Sequence, residues 1–178
     1  AVLGMDIPPV EKFEVGFWEG VKSVNPDCEV ISVVTNTFDD QAKGKEAALA
    51  MIEQGADIIF QIAGNTGVGA INACKEVGVA AIGVDIDQNY VAPDTIITSA
   101  VKGITQSTYL VIEGAVDGTL EGGRTLTFGI NENSTGLAPY HSFDDVIPQE
   151  VKDIVNDRIK KMKAGEIVPS TTREEAGM

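Results

Sequence analysis

A buried strand that runs straight into a glycine-broken turn constrains this chain more than any other feature. The stretch is Ala56 to Gly69, ADIIFQIAGNTGVG. Ile58, Ile59, Phe60 and Ile62 make a short continuous apolar run, the pattern of a strand covered on both faces of a parallel sheet. Gly64, Gly67 and Gly69 then open the backbone, and the spacing predicts a helix from about Val68 to Val77 with its free N–H groups aimed into the same space. In an open α/β sheet, that strand-to-helix edge is where ligands bind. The glycine spacing, G-x-x-G-x-G, is the reverse of the dinucleotide fingerprint, and the Lys-Ser/Thr pair of a P-loop is absent. The joint reads as the edge of a small-molecule pocket.

On either side of this joint the chain alternates strand and helix. A strand at Ala1 to Gly4 gives way at Pro8-Pro9 to an amphipathic helix, Val10 to Val24, with Val10, Phe13, Phe17 and Val21 at helical spacing. A β-branched strand follows at Val30 to Val34, then the polar loop Thr35 to Asp40 and an alanine-rich helix, Gln41 to Gln54. After the central joint come a strand at Val79 to Val84, the polar loop Asp85 to Asn89, a strand at Thr95 to Ser99 and a helix from Gly103 to about Val116. Arg124 to Ile130 alternates as a further strand, Pro148 opens a charged helix to about Ala164, and the polar tail after Pro169 is expected to fray. Units of this length are β-α crossovers, and right-handed crossovers keep parallel strands pointing one way. The loops at Asp6, Asn36, Gly64, Asp85 and Ser99 should therefore share one edge of one sheet.

The formal charge of −14 and pI near 4.3 argue against a nucleic-acid or anionic membrane surface, which needs a clustered basic face. Cys28 and Cys74 stand alone, without C-x-x-C spacing or a nearby histidine, and read as buried thiols rather than metal ligands. The sole histidine, His141, has no nucleophile motif around it. No cofactor is implied. Ala1-Val2-Leu3 already has the character of a strand interior, which suggests that residues precede it.

Four segments in order carry a resemblance. Gly4-Met5-Asp6-Ile7-Pro8 with Phe13 and Gly16-Phe17 comes first, followed by Asp57 to Gln61 with Ala63-Gly64-Asn65-Thr66-Gly67. Ile82 to Gln88 and Thr98-Ser99-Ala100-Val101-Lys102 complete the set. Together they resemble the basic membrane protein family, substrate-binding lipoproteins of ABC importers related to purine nucleoside receptors, from residue 1 to about Pro169. The resemblance implies an α/β fold of periplasmic-binding-protein type I, a Rossmann-like parallel sheet flanked by helices. One complete lobe is expected at residues 1–98. Residues 99–130 would cross the hinge and supply a helix and strand of a second lobe, residues 131–169 would return with the last helix, and 170–178 would be a frayed tail. The rest of the second lobe, with a lipid-modified N-terminus, would lie upstream.

The resemblance also implies a non-catalytic receptor that captures a nucleoside, with a purine base expected, and delivers it to an ABC permease outside the cytoplasm, lipid-anchored or periplasmic. A nucleoside or sugar hydrolase, and the ligand-sensing domain of a regulator, are the alternatives. Phe60 resembles the family's base-stacking aromatic, a flat apolar surface suited to a purine face, and is otherwise a core phenylalanine. Asp85 resembles the ribose ligand, since one carboxylate accepts both protons of a vicinal diol; Asp87 and Gln88 are its rivals. Lys102 matches a donor to sugar oxygens, and Gly64 and Asn65 would add backbone and amide hydrogen bonds. Asp6 is a weaker candidate, with capping of the first helix as its alternative role.

Overall fold

The computed structural model describes all 178 residues and holds a six-stranded sheet flanked by helices. Its elements are β1 (Val2–Leu3), α1 (Pro8–Val24), β2 (Val33–Val34), α2 (Gln41–Glu53), β3 (Ile58–Ile62), α3 (Gly64–Val77) and β4 (Ala80–Asp85). After these come β5 (Ile96–Lys102), α4 (Ile104–Val116), β6 (Thr135–Leu137), α5 (Gln149–Lys163) and a terminal α6 (Arg173–Ala176). The strand order is β2-β1-β3-β4-β5-β6, parallel throughout except for the β5–β6 pair. The type of most elements follows the hydrophobic pattern, as expected where a strand is apolar on both faces.

Each face of the sheet has its own core. Val2, Ile59, Ala81 and Ile96 pack under α2 and α3, whose Ala47, Ala48, Met51, Ala70, Ile71 and Cys74 are buried against them. Leu3, Phe60, Ile62 and Val84 face the other way and meet Val10, Phe13 and Phe17 of α1. Burial pushes the Cys74 thiol up to about 11, so it stays protonated; Cys28, expected to be buried, is only half-buried.

Three local expectations are corrected. Helix α3 begins at Gly64 rather than Val68, because two of its glycines serve close packing instead of an open turn. A Cβ on Gly67 would come within 1.6 Å of Gln61 Oε1, and one on Gly69 within 1.9 Å of the Gln41 carbonyl oxygen. Residues 124–130 form no strand, since alternation alone cannot hold an extended segment that has no neighbour for its backbone groups. The strand that does form is β6, antiparallel on the edge of β5, with Val101 opposite Gly136. In addition, β5 continues to Lys102, three residues past its expected end.

The terminal segment does not fray. Thr172 caps α6 by accepting from the Glu175 N–H, and the segment is fastened across α1 by four acidic side chains. Glu19 accepts from the Ser170 N–H and hydroxyl, and Glu11 from the Arg173 N–H. The Arg173 guanidinium bonds Glu14 Oε2 through Nε at 2.8 Å and Nη2 at 2.6 Å, and Asp6 Oδ1 through Nη1 at 2.7 Å. Composition marked this tail as solvated, yet Arg173 meeting a carboxylate that is 3% exposed, with Glu11 and Glu19 holding the backbone and Ser170, docks it.

Arg173→Met should therefore lower the unfolding free energy by about 1.5–3 kcal/mol, because Glu14 is left buried without its charged partner. Asp6→Asn, at the exposed end of the same clamp, should cost less than about 1 kcal/mol. Urea denaturation of both variants measures the difference.

Candidate functional site

With β1, β3, β4 and β5 parallel, their carboxyl ends lie along one edge, and the strand order reverses between β1 and β3, the position where open α/β sheets hold ligands. Asp6, Gly64, Asn65, Asp85, Asp87 and Lys102 all follow or end strands on that edge. What each does there differs.

Asp85 ends β4 opposite Val101, with its backbone in the left-handed region at φ 66°. The Ile86 N–H donates to the Val84 carbonyl at 2.8 Å, which makes Asp85 the centre of a γ-turn of the strained, positive-φ kind. The side chain is exposed and makes no hydrogen bond or ion pair within the chain. Lys102 is likewise exposed and unpaired. Both line an open hollow of about 550 Å³ with Ile86, Asp87, Val101, Gly103, Ile104 and Thr105. A free acceptor and a free cationic donor on one rim suit a neutral polyhydroxylated ligand, which needs both.

Asp87 also borders the hollow, but its carboxylate is occupied. Oδ1 accepts from the Asn89 N–H at 3.1 Å, and Oδ2 lies 2.7 Å from His141 Nε2. Since a carboxylate only accepts, that ring nitrogen carries the proton. Slight burial works to raise the Asp87 pKa, but the Asn89 and His141 bonds outweigh it and hold the group below its ordinary value. Gln88 is 7% exposed and faces inward. The Asp87 carboxylate and the Gln88 Oε1 are thus engaged within the protein, and the Asp85 carboxylate is not.

Asn65 is similarly engaged: its Nδ2 donates to Asp39 Oδ1 at 2.7 Å and its Oδ1 accepts from Gln41 Nε2 at 2.8 Å. This ties the start of α3 to the loop before α2, where Asp40 caps α2 through the Ala42 and Lys43 N–H groups. Gly64, at φ 55°, makes the turn into α3. Asp6 does not cap α1, whose N-cap is Ile7, and pairs with Arg173 instead.

Phe60 does not face the edge. It sits mid-strand, 4% exposed, its ring 5.3 Å from that of Phe17 and 6.4 Å from that of Phe13, enclosed under α1. The aromatic at the rim is one the sequence reading passed over. Phe38, 37% exposed, lies beside Gly64 and so close over Gly4 that a Cβ there would come within 2.3 Å of its ring. Its carbonyl accepts from the Thr66 N–H at 3.0 Å, which holds the loop against α3. The available signal was a large apolar residue stranded in the polar run Thr35-Asn36-Thr37-Phe38-Asp39-Asp40 at a strand's carboxyl end.

Residues 1–172 match the family model Bmp, described as ABC transporter substrate-binding protein PnrA-like. The chain belongs to this family. Basic membrane protein D of Borreliella burgdorferi (strain JD1) is 36% identical over 154 residues, covering 85% of this chain and 44% of that protein. An uncharacterized lipoprotein of Pyrococcus abyssi (strain GE5 / Orsay) is 32% identical over 216 residues, covering 98% of this chain and 53% of the lipoprotein. Among solved structures, an ABC transporter solute-binding protein from Aeropyrum pernix K1 superimposes with TM-score 0.84 at 28% identity, over 99% of this chain and 58% of that one. A protein described as a transcriptional activator of the comK gene from Bacillus halodurans gives TM-score 0.83 at 25% identity, over 95% and 57%. The chain thus spans about half the length of the Bmp-family relatives it matches. The periplasmic-binding-protein type of α/β fold read from the sequence is the fold of these solute-binding neighbours.

The Asp87–His141 contact predicts a pH dependence of stability. A carboxylate whose folded pKa is depressed adds stability above its unfolded value, and that contribution is lost as pH falls through the folded one. Asp87→Asn should therefore be less stable than the parent at pH 7, and the gap should narrow below about pH 4. Urea midpoints at the two pH values test the sign.

Proposed function

We propose that this chain supplies one wall of the ligand cleft of an ABC importer's substrate-binding protein, and that the ligand is a nucleoside with a purine base. The observation that carries the reading is the rim itself: a free Asp85 carboxylate in a strained turn, an unpaired Lys102 beside it, and the exposed Phe38 ring along the same edge. A carboxylate receives the two protons of a ribose diol, an ammonium donates to sugar oxygens, and an aromatic face covers the base. The protein is a receptor rather than an enzyme on this reading, and no serine, cysteine or histidine nucleophile–base pair lines the hollow. Family membership and the lipoprotein relative support a place outside the cytoplasm, next to a membrane permease. The similarity to the Bacillus halodurans protein favours one second reading, a ligand-sensing domain that uses the same cleft.

The reading also assigns α4 and residues 117–130 to the opposite lobe. Ile104, Tyr109, Ile112 and Val116 stand exposed on α4, and none of that helix's residues is buried. A contiguous apolar face of this kind is rarely left in water. The isolated chain should self-associate in light scattering, and Ile112→Asp should reduce that. A monodisperse monomer would remove this assignment.

Calorimetric titration with inosine of the whole two-lobed protein tests the site. Asp85→Ala should weaken binding by about 1.5–3 kcal/mol, roughly ten- to a hundredfold, and Asp87→Ala by less. Phe38→Ala should cost about 1–3 kcal/mol with inosine and little with ribose, because only the base stacks. Equal losses for the two aspartates would remove Asp85 as the acceptor of the diol. Steady release of hypoxanthine would replace the receptor reading with the hydrolase.

A further inference from the structure

Beneath the rim lies a set of buried polar side chains that the binding reading does not use. Gln61 lies on β3, Gln88 in the loop after β4, and Ser99 on β5, and all three are buried. Gln61 Oε1 accepts from the Ala63 N–H at 3.0 Å, while its Nε2 donates to Gln88 Oε1. That same Gln88 oxygen accepts from the Val84 N–H at 2.9 Å, and the Gln88 N–H donates to Ser99 Oγ at 3.1 Å. The bonds form one continuous path from the end of β3, through the end of β4, to β5.

Two glycines make room for it. A Cβ on Gly67 would strike Gln61 Oε1 at 1.6 Å, and one on Gly83 would meet Ser99 Oγ at 2.4 Å and Gln88 Oε1 at 2.8 Å. The path also begins where regular pairing stops, since the β3–β4 register ends at Phe60 opposite Ile82. Past that point a side chain, not a neighbouring strand, takes the Val84 N–H. Each anchor borders a rim group. Ala63 precedes Gly64, Val84 precedes Asp85, and Ser99 precedes Lys102 by three residues on the same strand.

We propose that Gln61, Gln88 and Ser99 are positioning residues: a buried relay that sets the spacing of the β3, β4 and β5 ends and holds Asp85 in its left-handed turn for the ligand. The proposal rests on the reading of Asp85 as a ligand group. A non-glycine residue at positive φ persists only when its surroundings over-determine it. Here the Val84 N–H on one side of Asp85 and the Gln88 N–H on the other are both fixed, by Gln88 Oε1 and Ser99 Oγ, so the intervening residues have little freedom to relax. An all-apolar layer would give burial but no such register, because dispersion contacts are not directional, whereas a satisfied buried hydrogen-bond network is.

The test has an arm that needs no ligand. In the whole chain, Gln88→Met keeps the side chain's length and removes the acceptor. Amide hydrogen exchange by NMR should show Val84 and Ile86 exchanging about tenfold faster or more, with Leu3 and Ile59 unchanged. Gln88→Glu, which keeps an acceptor oxygen in place, should restore protection at Val84. Unchanged exchange at Val84 and Ile86 in the Met variant, or acceleration spread across the whole sheet, overturns the relay as a local positioning device. The second arm is an NMR titration of the whole two-lobed protein with inosine. Gln88→Met should weaken inosine about tenfold in the parent, and add almost nothing to Asp85→Ala if it acts through Asp85. Fully additive losses overturn that coupling. If the two-lobed parent shows no inosine shifts, the nucleoside reading fails, and the exchange arm still decides the relay.

Discussion

Parallel pairing of β2, β1, β3, β4 and β5 brings the carboxyl ends of five strands to one edge, and every group argued to meet a ligand is there for that reason. The pairing depends on two unlike cores. Small side chains under α2 and α3 let both helices sit close to the sheet, while aromatic side chains under α1 fill a deeper space. A substitution on one face has little reason to disturb the other, because the two clusters share no residue. The rim between them is polar, and its order comes from directed bonds rather than from either core.

Much of this was legible in the sequence, and the exceptions share a cause. Period and apolar runs identified the type of most elements from β1 to α4, since those patterns record which backbone is covered. They carry no record of what a side chain touches across the fold. Phe60 looked like a rim aromatic because its strand runs into the turn, but residue parity on β3 sends it to the α1 face with Leu3 and Val84. Phe38 was lost in a polar loop for the opposite reason. Asp6, Asn65 and Gln88 have the right chemistry in the right place, and only the bonds of Arg173, Asp39 and Gln61 show that it is engaged inside the protein. The docked tail was hidden in the same way, by an arginine over 150 residues from its carboxylate.

The buried residues are distributed unevenly. Of the 34, only Ser134 and Ala138 lie beyond residue 99, so α4 and α5 contribute nothing to either core. Burial is what compensates for the conformational entropy lost on ordering a chain, and a helix that buries none of its side chains has little tertiary reason to be helical. The well-packed unit is the first hundred residues with α6 clasped across α1. The helices beyond it have apolar residues facing outward.

Strain separates the acidic residues of the rim more clearly than position does. Four non-glycine residues have positive φ: Asn36, Asp85, Asn133 and His141. Asn, Asp and His all enter that region more readily than other side chains, and what sets Asp85 apart is that it centres a γ-turn, the Ile86 N–H bonding the Val84 carbonyl. His141 accompanies its strain with the contact to Asp87, so its side chain returns something to the fold. Asp85 has no such return. Its carboxylate bonds nothing in the chain, and glycine would make the same turn without the penalty of about 1–3 kcal/mol that a strained residue carries. On the proposed reading, the ligand supplies the contact that the chain itself does not. Among Asp6, Asp85 and Asp87, only Asp85 is held in an unfavourable backbone state with its acceptor oxygens unspent.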